Sequence, residues 1–193
     1  MSQAIVLDEP VGPAPDYQLC ALLIVRDGQN LARLSDVLAQ LKRTCDVLVA
    51  VNLLPDSEID AQSMLQLAGQ GDATWFRYMV RQSDPAKHKE ALDAGLLLAR
   101  SLKVSWIYRV GAADVLTPDG ETSLREITLA VATASLRGIR AADGHVRLWR
   151  CWMQALHFDG HADCPLEIER APSELRTLDR RLQYDDARVQ VVR

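Results

Sequence analysis

The run Leu19-Cys20-Ala21-Leu22-Leu23-Ile24-Val25, closed by Arg26-Asp27-Gly28, decides the fold class. A strand with one wet face alternates polar and apolar residues, and this run does not. It fits a strand covered on both faces, as in a parallel sheet between helices, with the charged residues and glycine marking its end. The chain after it carries Leu31, Leu34, Leu38 and Leu41 at helical spacing, with Asn30 as N-cap. Asp46-Val47-Leu48-Val49-Ala50-Val51-Asn52 then reads as a second buried strand, closed by Pro55.

The alternation continues. A helix is predicted from about Ser57 to Leu67, stopped by Gly69 and Gly71, followed by a third strand over Trp75 to Val80. Pro85 to Leu102 reads as a helix with Pro85 in its first turn and Leu92, Leu96 and Ala99 on one face. Val104 to Val110 is the fourth strand, ending at Gly111. Thr117-Pro118-Asp119-Gly120 reads as a turn before a helix from Ser123 to about Leu136. The C-terminal third is less regular: a strand over Val146 to Trp152, a loop over Phe158 to Pro165, and a helix over Glu174 to Asp186. Repeated strand–helix units predict an α/β fold, a mixed, mostly parallel sheet of Rossmann-like type flanked by helices. The expected organisation is an irregular lead-in over 1–17, one α/β domain over 18–170 and a charged helical tail over 171–193.

The bulk composition agrees with one soluble domain. At 193 residues, roughly 70% of the unfolded surface can be buried, so a core needs no disulfide or metal to hold it. A formal net charge of −4 disfavours a general nucleic-acid binder, which needs surplus Lys and Arg to neutralise phosphates. Cys20, Cys45, Cys151 and Cys164 include no Cys-x-x-Cys pair and read as reduced thiols, implying a cytoplasmic protein. Met1 to Asp16 lacks the basic and apolar regions of a signal peptide, and no apolar run is long enough to span a bilayer.

In open parallel sheets ligands bind beyond the carboxyl ends of the strands, where strand order reverses. The candidate site residues are therefore Arg26 and Asp27, Asn52, Arg81 to Asp84, and Gly111 to Asp114. Lys87, in Lys87-His88-Lys89, is a further candidate phosphate contact, although such a run is more often a solvated face.

Over roughly residues 19–165 the chain resembles the family-2 glycosyltransferases. Val25-Arg26-Asp27 with Leu31 and Leu34 looks like the family's first strand and its Arg-(Asn/Asp)-Glu turn. Cys45 to Asn52 is similar to the strand that ends in a base-reading Asp, with Asn52 in that place. Ala91-Leu92-Asp93-Ala94-Gly95-Leu96 looks like the helix beneath the sugar-nucleotide. Trp106-Ile107-Tyr108-Arg109-Val110-Gly111-Ala112-Ala113-Asp114-Val115-Leu116-Thr117-Pro118 carries the sharpest likeness: a Trp-Ile strand, a central Ala, a trailing acid, Leu and Pro. Both metal-binding aspartates of the family's Asp-x-Asp are replaced, by Gly111 and Ala113. His145 to Arg150 resembles the family's Arg-Leu-Phe-Arg strand, and Phe158 to Asp163 its acceptor-side segment, with Asp163 and Cys164 where His and Glu stand.

The resemblance implies a nucleotide-sugar donor of UDP or GDP type and a glycan or protein acceptor. Arg26, Asp27, Asn52, Arg81 and Lys87 are the implied nucleotide contacts, Asp163 and Asp114 the candidate catalytic carboxylates, and Trp149, Trp152 and His161 the acceptor or sugar contacts. His157, His161, Asp163 and Cys164 form a metal-like cluster, but Phe158-Asp159-Gly160 interrupts any helix that would give His157 and His161 zinc spacing. Trp75 and Trp106 read as core.

Inverting transfer needs a carboxylate base and neutralisation of the departing diphosphate, usually by Mg²⁺ or Mn²⁺ on carboxylate oxygens. With Gly111 and Ala113 in place, three outcomes stay open: a metal-independent enzyme with Arg26, Arg81 or Lys87 as clamps, a metal held by Asp114 with the nucleotide, or lost catalysis. In the last case the domain serves as a nucleotide- or protein-binding regulatory or assembly subunit, with a protein partner or a second copy of itself. An unrelated Rossmann-like domain is a third reading, because fold does not fix function.

Overall fold

The computed structural model describes residues 3–6, 17–26, 31–129, 138–140, 146–150, 156–158 and 166–168. Its core is four parallel strands: β2 (Leu19–Arg26), β3 (Val47–Leu53), β4 (Phe76–Arg81) and β5 (Trp106–Gly111). Three antiparallel strands extend the sheet at its edges. These are β1 (Gln3–Val6) against β4, then β7 (Val146–Arg150) against β5 and β6 (Gly138–Arg140) against β7. The order is β1-β4-β3-β2-β5-β7-β6, so strand order reverses between β2 and β5. The chain is thus an α/β fold on a mixed, mostly parallel sheet flanked by helices. A separate ribbon pairs β8 (Leu156–Phe158) with β9 (Leu166–Ile168).

Alternation along β2 divides the core in two. Leu19, Ala21, Leu23 and Val25 face the layer containing α1 (Leu34–Thr44), α2 (Ile59–Gly71) and α4 (Pro118–Leu129). Cys20, Leu22 and Ile24 face α3 (His88–Ser101) with Val47, Val49, Val51 and Trp149. The layer change has a topological cause. The β2–β3 and β3–β4 connections step one way across the sheet and put α1 and α2 on one face. The β4–β5 connection steps back past β3 and β2, and a crossover of the same hand then requires the opposite face.

Helix α3 approaches that face closely. A Cβ built on Gly95 would stand 2.3 Å from Val51 Cγ2, so glycine is what allows the helix backbone to sit on β3.

Several boundaries differ from the sequence reading. Gln3–Val6, inside the stretch expected to be irregular, forms edge strand β1. Helix α2 continues through Gly69 to Gly71. The Thr117-Pro118-Asp119-Gly120 segment is not a turn but the start of α4. The Thr117 Oγ1 accepts the Gly120 N–H at 3.1 Å as an N-cap, and Pro118 takes the first helical position, where its missing N–H costs nothing. The predicted helix over Glu174 to Asp186 lies outside the described residues, as do 130–136 of the helix expected to reach Leu136.

Candidate site at the carboxyl edge of the sheet

Two groups of side chains meet at the carboxyl ends of the parallel strands. The first surrounds the β5 exit. The Asp114 Oδ2 accepts the Gly111 N–H at 2.8 Å and the Arg147 Nη1–H at 2.6 Å, and both side chains of this ion pair are almost fully buried. From the other face, Gln40 of α1 receives the Leu116 N–H on Oε1 at 2.7 Å and donates Nε2–H to the Leu116 carbonyl at 2.9 Å. The same Nε2 donates to Glu121 Oε1 at 2.7 Å. The loop from Gly111 to Thr117 is thereby pinned from both sides of the sheet.

This arrangement bears directly on a metal. Gly111 and Ala113 carry no side-chain oxygen, and the one acid of the loop is already neutralised by Arg147. The residues present do not fit a divalent cation of the kind an Asp-x-Asp loop holds. Among the described residues, no group of three or more His, Cys, Asp or Glu is placed to bind a metal ion.

The second group lies at the β2, β3 and β4 exits. Arg26 pairs in register with Leu53, and Asn52 with Arg81. Gln82 extends the ladder one step by donating its N–H to the Asn52 carbonyl at 2.9 Å. Arg26, Leu53 and Gln82 therefore stand level. Alternation with Ile24, Val51 and Val80 turns all three toward the α3 face. The Gln82 Oε1 accepts the Asp84 N–H at 3.1 Å, and Asp84 Oδ1 accepts the Ala86 N–H at 3.0 Å. Those two bonds shape the turn that leads through the 3-10 segment Pro85–Lys87 into α3. The first α3 residue, His88, has its imidazole pKa lowered from 6.5. Burial is the main cause; Asp84 opposes it and the Arg26 charge adds to it.

The residues singled out by sequence distribute unevenly over this edge. Arg26 is part of the second group and Asp114 of the first. Asn52 is buried and faces the α1 side, where its Oδ1 accepts the Leu54 N–H at 3.0 Å and closes the turn after β3. Arg81 pairs with Asp56 at 2.6 Å in an exposed bridge. Lys87 is solvent-exposed. Trp149 corrects an expectation: as a sugar-stacking face it would need an open ring, but it is 0% exposed, in the core cluster on the α3 side of the sheet with Ile107 opposite. Trp75 and Trp106 are core, as expected. Asp27, Trp152, His161 and Asp163 lie outside the described residues, as do Cys164 and the placement of any His157 cluster.

Sequence reasoning included Gln82 only within the Arg81 to Asp84 stretch and Arg147 only within the His145 to Arg150 strand, gave neither a role, and treated His88 as part of a solvated run. The parity of Gln82 with Val80, and of Arg147 with Trp149, was the signal that both turn toward α3. Arg109, also buried on this face, follows the same rule through Ile107.

No protein-family model matches the chain, and no curated protein matches it. Among the described residues no helix is long and apolar enough to cross a membrane.

Proposed function

We propose that the chain is a glycosyltransferase-like domain, with a Rossmann-like nucleotide-diphospho-sugar transferase arrangement, that binds a nucleotide-activated sugar without a metal held in its β5 loop. The observation that carries this reading is the switch point between β2 and β5. There Ile24 pairs with Gly111, so Arg26 and the Gly111–Asp114 loop leave the sheet side by side, at the place where α/β sheets bind ligands. A UDP- or GDP-linked sugar presents a diphosphate, and with no carboxylate pair in the loop its charge falls to cationic and N–H donors. Arg26, two residues beyond Ile24 at the end of β2, is the cation assigned to this charge. Transfer to a glycan or protein hydroxyl would further need a carboxylate base, the role proposed for Asp163.

A second reading is favoured by one specific observation, the ion pair of Asp114 with Arg147. A carboxylate committed to bracing its loop is poorly suited to taking a proton. On that reading the domain is catalytically inactive and binds a nucleotide or a protein partner as a regulatory or assembly subunit.

The test is equilibrium titration of UDP, GDP, TDP and CMP, each with EDTA and with Mn²⁺. The proposal expects saturable binding of one diphosphate nucleotide, equal in both conditions. Absence of binding to all four sinks it. Binding without turnover of any sugar conjugate selects the second reading. The double substitution Gly111→Asp, Ala113→Asp is expected to make binding respond to Mn²⁺.

A further inference from the structure

Two buried side-chain nitrogens at the turn into α3 have no hydrogen-bond partner: the amide donor Gln82 Nε2 and the imidazole His88 Nε2. Gln82 is 7% exposed, and its other amide atom is fixed on the Asp84 N–H, so the direction of Nε2 is set by the turn itself. Leaving the Gln82 donor unmade is costly, a cost that a fold keeps where a ligand oxygen is to be met. The register places Gln82 level with Arg26 on the α3 face, and the Arg26 charge is close enough to act on His88. The N-terminus of the 14-residue helix α3 adds its positive dipole end at the same place.

We infer that Arg26, Gln82, His88 and the N-terminus of α3 form an oxyanion subsite for a phosphate or diphosphate group. The subsite rests on the nucleotide-binding reading for its biological ligand, and it names residues that reading did not use. Cation, amide donor, imidazole and helix dipole all favour the same chemistry, a multiply charged oxyanion, and the surrounding apolar layer of Leu53, Val80 and Leu92 raises the strength of each contact. The opposing charge is Asp84, whose carboxylate is turned onto the Ala86 N–H.

The probes are inorganic pyrophosphate, UDP and uridine, titrated into the native chain and into Gln82→Glu and His88→Phe. Gln82→Glu keeps the acceptor for Asp84 while replacing the donor by a second acceptor, and it is expected to weaken pyrophosphate binding at least tenfold. His88→Phe keeps the ring volume, and a several-fold loss is expected. A readout on the native chain guards against misfolded variants: the His88 imidazole resonances should move on adding pyrophosphate, with saturation matching the calorimetric curve. Undiminished binding in both variants, or His88 resonances that stay fixed while pyrophosphate binds, overturns the subsite. So does the absence of pyrophosphate and UDP binding. If pyrophosphate binds through these residues and UDP binds no better, the subsite stands and the nucleotide reading falls. If UDP binds equally in native and variant chains, the nucleotide reading stands and the subsite falls.

Discussion

Replacing Gly95 by Ala is the sharpest test of how α3 is seated. A carbon–carbon contact is comfortable at about 3.5–4.0 Å, and the new methyl would stand 2.3 Å from Val51 Cγ2, so it is short by about 1.2 Å or more. Val51 has nowhere to retreat, because it is fully buried, in the centre of β3, and β-branched with a stiff χ1. Leu22 Cδ1 lies 3.5 Å away on the next strand and closes the other direction. Overpacking of this kind costs about 1–3 kcal/mol, and a clash this short belongs near the top of that range. Alanine returns about 1 kcal/mol through its helix propensity. The net loss is then about 2 kcal/mol, or about 4–8 °C in Tm for a chain of this size. Urea denaturation with unchanged m-value reads the loss. Adding Val51→Ala should relieve it, so that the double variant is more stable than the sum of the single effects predicts. A Gly95→Ala chain as stable as the native one refutes the close approach of α3 to β3.

Three further outcomes follow from the same geometry. Asp114→Ala removes the carboxylate paired with the nearly buried Arg147 guanidinium and should cost about 3 kcal/mol, whereas the Asp114→Ala, Arg147→Met double variant should recover part of it; a cycle of denaturation curves measures the coupling. Burial pushes the Cys45 thiol up to about 12, with Asp46 adding to the rise and Thr44 opposing it, so peptide mapping after alkylation at pH 8 should find Cys45 unlabelled until the chain unfolds. His88 should titrate below 6.5 in the native chain. Because the unfolded state then holds the extra proton, the stability due to the neutral imidazole is complete above pH 6.5 and is lost as pH falls toward the native value. Asp84→Asn should lower that native value further and Arg26→Gln should raise it, both read from imidazole resonances.

The parallel core was legible because its information is local. The unbroken run from Leu19 to Val25, bounded by turn residues, suits a strand covered twice, and the helical spacing after Leu31 and Pro85 needed no distant partner. What escaped depends on contacts far apart in sequence or on context. Asp114 meets Arg147 across 33 residues, and Gln40 meets Leu116 across 76. Neither pairing leaves a trace in a local pattern. Thr117-Pro118-Asp119-Gly120 has turn composition, yet a capping hydroxyl and a proline at the first helical position start α4 there. Trp149 looked like a recognition aromatic because a side chain's exposure is set by what packs around it, and here it is enclosed in the core cluster with Ile107. At the site, alternation along each strand already divided Arg26 and Gln82 from Asn52. The pairing register then brought Arg26 and Gln82 level.

The most direct test of the whole account is amide chemical-shift mapping of the native chain with UDP in the presence of EDTA. Saturable shifts are predicted at Arg26, Gln82 to His88 and Gly111 to Asp114, the carboxyl edge of β2, β4 and β5. Amides at the opposite edge, such as Leu19, Asp46 and Trp106, should stay in place. No saturable shifts, or shifts gathered at that opposite edge, would contradict a nucleotide site at the switch point.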